Sequence, residues 1–230
     1  PSEFKARQEE YVAMVCQEMI PAVAKQGIAK YCDVFCEQGV FTVSQSRQIL
    51  KNARENGMAG KIHADELEPS GGSLLGAELG CCSAEHLLEV TPEGISALAR
   101  AGVIGVLLPA TSFYLTKGRY APAREMLNQG VPLALATDCN PGSAPTESMQ
   151  LVLTLACLYL KLTPAESIVA ATINSAHAVG AAHKVGSLEL GKQADILIMG
   201  VPNYNYLAYH FGGNHLDMVI KRGRVVHRRE

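Results

Sequence analysis

The chain reads as an α/β protein with a parallel sheet, because five short apolar runs alternate with segments of helical period. Two further observations support this. The run Val103-Ile-Gly-Val-Leu-Leu108 is apolar on both faces, as a parallel strand covered by helices should be. The helical segments carry their own start and stop residues, so each unit is strand, loop, helix, turn, with right-handed crossovers expected between strands.

In order, Val12, Val15, Met19 and Val23 recur at helical steps, and Gly27 is the stop. A first strand is expected at Lys30–Cys36, then a helix from about Ser44 to a stop at Gly57. The second strand, Gly60–Ala64, carries His63 on one face and Ile62 and Ala64 on the other. The loop Glu68–Gly72 leads into a short helix, Leu74–Leu79, closed by Gly80. A brief third strand, Cys82–His86, ends in a histidine. Thr91-Pro-Glu opens the next helix with a hydroxyl cap and a proline at the first helical position, and Gly102 closes it. Strand four is Val103–Leu108, followed by a loop through Tyr114 and Arg119 and a helix at Pro122–Gln129. Strand five, Pro132–Thr137, runs straight into Asp138. Glu147–Leu160 is a long apolar helix, and Thr163-Pro-Ala-Glu166 is a capping box opening another that ends at Gly180. From Gly186 the pattern becomes short β, with a hairpin turning near Arg222-Gly223. These breaks divide the chain into residues 1–183 and a β appendage, 184–230.

With 230 residues, 48% apolar, 18% charged and a net charge of −2, the chain can bury a substantial core and implies no nucleic-acid partner. No apolar run approaches the roughly 20 residues that span a bilayer, and the polar segment Pro1–Glu10 does not read as a signal peptide. Seven cysteines without metal-type pairing read as reduced, buried thiols of a cytosolic protein.

The chemistry is expected where strands end. His63, His86 and Asp138 close strands two, three and five, and in a parallel barrel those ends share one mouth. His63-Ala-Asp-Glu66 sets a neutral imidazole on a strand with a carboxylate just beyond, which suits a divalent metal and a proton carrier for its water. The turn Cys139-Asn-Pro-Gly-Ser143 offers an amide, a free N–H at Gly142 and a hydroxyl for a polar small molecule. Glu37, Tyr114 and Arg119 lie in loops above strand ends, within reach of substrate. His177, His183, His210, His215 and His227 read as structural.

His63-Ala-Asp-Glu66, Ala84-Glu-His86, Ala136-Thr-Asp-Cys-Asn-Pro-Gly-Ser143 and Gly186-Ser-Leu-Glu-Leu-Gly-Lys-Gln-Ala-Asp-Ile-Leu-Ile198 together resemble the amidohydrolase superfamily. The last stretch speaks for the superfamily at large, whereas the first and third point to its imidazolonepropionase branch. The resemblance implies a TIM-like (β/α)8 barrel of the metal-dependent hydrolase type, with its last five βα units here, and part of a small β-sandwich domain. It implies one divalent ion, zinc or iron, held by His63 and Asp138, with Glu66, His86 and Asp138 catalytic and Glu66, Asn140, Gly142 and Ser143 touching substrate. The reaction implied is cytoplasmic hydrolysis of 4-imidazolone-5-propanoate to N-formimidoyl-L-glutamate in histidine breakdown, and a homodimer is compatible with it.

This sequence lacks the His-x-His pair of the family's first barrel strand, so the resemblance implies the C-terminal portion of a longer enzyme. Two alternatives stay open. A guanine or triazine deaminase would share His63, His86 and Asp138 without the Asp-x-Asn-Pro-Gly-Ser turn, and a fragment without the N-terminal ligands would be inactive.

Overall fold

A computed structural model describes residues 1–230, in two units: Pro1–Gly105 with Gln129–Val131, and Val106–Asn128 with Pro132–Glu230. The first unit opens with α1 (Gln8–Met14), a π turn (Val15–Met19) and α2 (Ile20–Gln26), which Gly27 ends in the left-handed conformation. β1 (Tyr31–Cys36) leads into α3 (Val43–Glu55), whose N-terminus is a capping box between Thr42 and Gln45. β2 (Ala59–Ala64), α4 (Gly72–Leu79), β3 (Ser83–His86), α5 (Pro92–Ala101) and the start of β4 (Ile104–Leu107) follow. β1 and β3 both pair parallel to β2, with Phe35 and Glu85 the neighbours of His63. The expected alternation and caps are all present, Thr91 accepting from the N–H of Gly94 included.

The alternation in β2 decides what faces what. Ile62 and Ala64 are fully buried, and α4 lies directly on them. A Cβ on Gly72 would fall 2.8 Å from that of Ala64, and one on Gly76 2.9 Å from Cγ2 of Ile62. Four residues apart, the two glycines share a helix face, so α4 can approach the strand at backbone distance. Lys61 and His63 are left on the other side of the sheet.

What brings α4 down is Asp65, the residue after β2. Its carboxylate is buried and accepts from the N–H groups of Gly71 (2.9 Å), Gly72 (3.3 Å) and Ser73 (3.1 Å) and from the Ser70 hydroxyl (3.2 Å). These are the donors that a helix N-terminus leaves without internal partners, and a carboxylate is their best acceptor.

In the second unit, β4 is followed by α6 (Pro109–Tyr114), α7 (Ala123–Asn128), β5 (Leu133–Leu135), α8 (Met149–Tyr159), α9 (Pro164–Val169), a π turn (Ala170–Asn174) and α10 (Ser175–Ala178). Sequence reading expected a loop at α6. Its Thr and Ser are weak helix formers, but Pro109 occupies the first turn and Pro109–Ser112 are buried, so packing overrides propensity. The tail holds β6 (Ile196–Met199), a short α11 (Asn205–Tyr209) that the β reading missed, β7 (Leu216–Lys221) and β8 (Arg224–Arg228). β7 and β8 form the expected hairpin, with positive φ at both Arg222 and Gly223. The hydrogen-bonded strand orders are β1-β2-β3-β4-β5 and β6-β7-β8, the latter antiparallel.

All seven cysteines are free thiols, as expected, but only Cys16, Cys36 and Cys81 are buried and Cys139 is exposed. Burial pushes the Cys81 thiol up to about 12, which keeps it protonated and inert. No helix is long and apolar enough to cross a membrane.

Two predictions follow from these contacts. Asp65→Ala leaves the first turn of α4 with buried, unanswered N–H groups, and should lower unfolding stability by about 3 kcal/mol in denaturant titration. In the second unit the Arg124 guanidinium makes two bonds to Glu166 (2.9 and 2.7 Å), and this, with the Thr163 cap, lowers the Glu166 carboxyl from 4.5 to about 2. A depressed carboxyl stabilises the fold above its unfolded value, and that stability is lost as pH falls from 4.5 toward 2. Glu166→Gln should therefore flatten the acid limb of a stability–pH profile in that window while leaving its shape above pH 6 unchanged.

Candidate metal and catalytic site

β2 presents His63 beside β1, where Nδ1 lies 3.0 Å from the Asp33 carboxylate. The Phe35 ring meets the imidazole edge-on at a centroid distance of 5.8 Å, which limits its rotation. With Asp33 accepting from Nδ1–H, the lone pair is left on Nε2, the arrangement that carboxylates impose on metal-binding histidines.

His86 is buried at the end of β3, its ring centroid 5.1 Å from that of His63. It reaches that position through a left-handed backbone, φ 72°, and Leu87 follows with φ 60°. For residues with side chains this conformation is strained, and the strain sits where the strand gives way to the site. Its Nε2 is 3.6 Å from a carboxylate oxygen of Glu66, whose side chain is also largely buried.

Glu66 is set by Glu37. The buried Glu37 carboxylate accepts from the N–H of Glu66, and burial pushes its pKa up against the pull of the Glu66, Leu67 and Glu68 N–H groups. Glu37 thus holds the loop that carries Glu66, where the sequence suggested contact with substrate. Tyr114, the second of those loop residues, lies in α6 and is 54% exposed.

Two groups that sequence reading did not single out share the His63 face of the sheet. Lys61 and Glu85 form a largely buried ion pair of 3.0 Å, and the Ser83 hydroxyl donates to Glu85. Burial raises the Glu85 carboxyl, with Lys61 opposing the shift. The signal was the two-residue step: Lys61 and His63 must face the same way, and the strand register puts Ser83 and Glu85 beside them.

Asp33, His63 and Glu85 each offer a ligand atom, all within 4.8 Å of one another. A mixed carboxylate and imidazole set suits a divalent cation such as zinc or iron. Glu85 already has Lys61 as counter-charge and Asp33 is bonded to Nδ1 of His63, so Nε2 of His63 is the donor whose arrangement fits a metal best.

In the second unit, Asp138 follows β5 with φ 53°, and its Oδ2 accepts from the Thr111 hydroxyl of α6 at 2.7 Å. The turn beyond is closed by Asn140. Its Oδ1 accepts from the N–H groups of Gly142 (2.8 Å) and Ser143 (2.9 Å), and its Nδ2 donates to the Asp138 carbonyl and the Ser143 hydroxyl, both at 2.8 Å. The N–H at Gly142 is therefore not free, contrary to expectation, because the Asn side chain bonds its own backbone two residues on.

Among curated proteins, the imidazolonepropionase of Geobacillus kaustophilus is 55% identical over 226 residues, and that of Desulfotalea psychrophila is 51% identical over 227. The alignments cover 98% and 99% of this chain but 53% and 55% of those proteins, so the chain spans about half their length. Among solved structures, a 5-methylcytosine deaminase from Klebsiella pneumoniae liganded with 5-fluorocytosine matches 93% of this chain and 59% of its own, with a TM-score of 0.78 at 17% identity. An adenosine deaminase from Xanthomonas campestris with bound zinc matches 86% of this chain and 51% of its own, with a TM-score of 0.68 at 22% identity. These two likenesses are of fold. The model of the amidohydrolase family aligns with residues 34–226, from within β1 to within β8, and the chain belongs to that family.

Proposed function

We propose that this chain supplies part of the catalytic apparatus of an imidazolonepropionase, which hydrolyses the cyclic amide of 4-imidazolone-5-propanoate to N-formimidoyl-L-glutamate. The observation that carries the reading is the imidazole of His63, fixed by Asp33 through Nδ1, beside the buried His86–Glu66 pair. One group is prepared to hold a metal and two to handle protons or polar substrate atoms. The identity to curated imidazolonepropionases supports the choice of substrate. In this reading residues 1–183 contribute to the barrel and 184–230 to the small β domain.

His63 and Asp138 would hold the divalent ion, zinc or iron, with Asp33 orienting His63. When bound, such an ion supplies Lewis acidity that makes water an effective nucleophile near neutral pH. Asp138 accepts the proton of the attacking water and delivers it to the ring nitrogen as that nitrogen leaves. His86 donates to the oxyanion that develops on the carbonyl, a contribution of about 3 kcal/mol for one well-placed donor. Glu66 hydrogen-bonds a ring nitrogen and selects the tautomer that is attacked. Ser143 meets the substrate through its hydroxyl, and Asn140, bonded to the N–H of Gly142, shapes the turn that presents it.

In the protein carrying these residues, turnover of 4-imidazolone-5-propanoate and metal content separate the roles. His63→Ala should lose the metal, whereas Glu66→Gln should keep it and lose rate; full metal occupancy in His63→Ala would remove that ligand from the assignment. Asp138→Asn should abolish hydrolysis at every pH. Retention of more than about a tenth of the rate, a barrier change under roughly 1.4 kcal/mol, would rule out Asp138 as the proton carrier.

A further inference from the structure

We infer that His210 and His215 form a binding site for a late first-row divalent cation, copper, nickel or zinc, that uses none of the residues assigned above. The two histidines flank the loop between α11 and β7, and the left-handed Gly212, φ 79°, lets that loop double back. His210 Nδ1 lies 3.1 Å from His215 Nε2, which is also 2.9 Å from the His210 carbonyl oxygen. For metal–nitrogen bonds of about 2.05 Å, a 3.1 Å separation subtends about 100° at the metal, between the octahedral and tetrahedral values. Two imidazole nitrogens and a carbonyl oxygen then make one face of a coordination sphere, and water fills the rest. Imidazole nitrogen is the donor these cations favour.

The pair is held in place before any cation arrives. Tyr206 stacks on His210 with ring centroids 5.2 Å apart and meets His215 edge-on at 5.6 Å. The His215 N–H donates to Oε1 of Gln150 on α8, and the Gln150 amide donates to Asn214, so the end of the loop that enters β7 is anchored to α8. Gly213 keeps the approach clear. A Cβ there would stand 3.3 Å from His215 Nε2 and 3.4 Å from His210 Nδ1, in the space beside both donor atoms. His210 is exposed and His215 half-buried, so the site is open to cations from solvent.

In the metal-free pair His215 carries its proton on Nε2 and shares it between the ring and the carbonyl of His210. Binding moves that proton to Nδ1 of His215 and frees the Nε2 lone pair, with no net change in charge on either ring.

The test is a copper(II) titration of the metal-loaded protein carrying these residues, followed by electron paramagnetic resonance. The wild type should show a copper signal with hyperfine splitting from two imidazole nitrogens. His210→Ala and His215→Ala should each lose it, and His227→Ala should keep it. Should a histidine variant fail to fold, Gly213→Ala decides, since it keeps both rings and fills the approach, and weaker binding is expected. A two-nitrogen signal that survives in either histidine variant, undiminished binding in Gly213→Ala, or no such signal in the wild type would overturn the site and leave the pair as a hydrogen bond.

Discussion

The first unit depends on the Asp65 carboxylate closing on the N–H groups of Gly71, Gly72 and Ser73. This contact turns the chain at the end of β2 and starts α4 where its glycine face can rest on Ile62 and Ala64. With those two side chains committed to the core, the alternation of β2 leaves His63 no choice of face. Glu66, one residue past Asp65, is then free of the helix and turns toward His86. The two carboxylates of one tetrapeptide thus do different work, Asp65 building the fold and Glu66 facing the site.

Electrostatics around His63 are arranged in pairs. Asp33 faces its Nδ1, and Lys61 answers Glu85 on the adjoining strand. A buried ion pair rarely adds much stability, because desolvation offsets most of its attraction. Its value here is that the charge of Glu85 is already answered, which leaves Asp33 as the carboxylate directed at the imidazole. Left-handed backbone at Asp65, His86 and Asp138 recurs at strand ends in both units. Each of these side chains is aimed by a conformation that an L residue adopts only under constraint from its surroundings.

Much of this was legible in the sequence, and what was not has physical reasons. Periodicity and caps gave the helices at Val43–Glu55 and Pro92–Ala101 and the strand at His63, since those signals are local. The different fates of Asp65 and Glu66 were not legible, because they depend on where the N-terminus of α4 arrives six residues later. Glu37 read as a loop acid within reach of substrate, and its burial follows from the Glu66–Glu68 N–H groups folding over it. Lys61 and Glu85 drew no reading from the sequence, because only the strand register sets them beside each other. The turn at Asn140 was found, but its N–H at Gly142 was counted as available when the Asn side chain takes it. α6 stayed hidden because Thr and Ser obscure a helix that burial stabilises.

In the proposed site Asp33 fixes His63 as a metal donor through Nδ1 without being indispensable to metal binding. The metal affinity of Asp33→Asn, measured by competition with a chelator on folded protein, tests this directly. Removing an orienting carboxylate should weaken binding on the order of 10- to 100-fold while leaving a saturable site. Affinity equal to that of the wild type would show that Asp33 does not orient the imidazole for a metal.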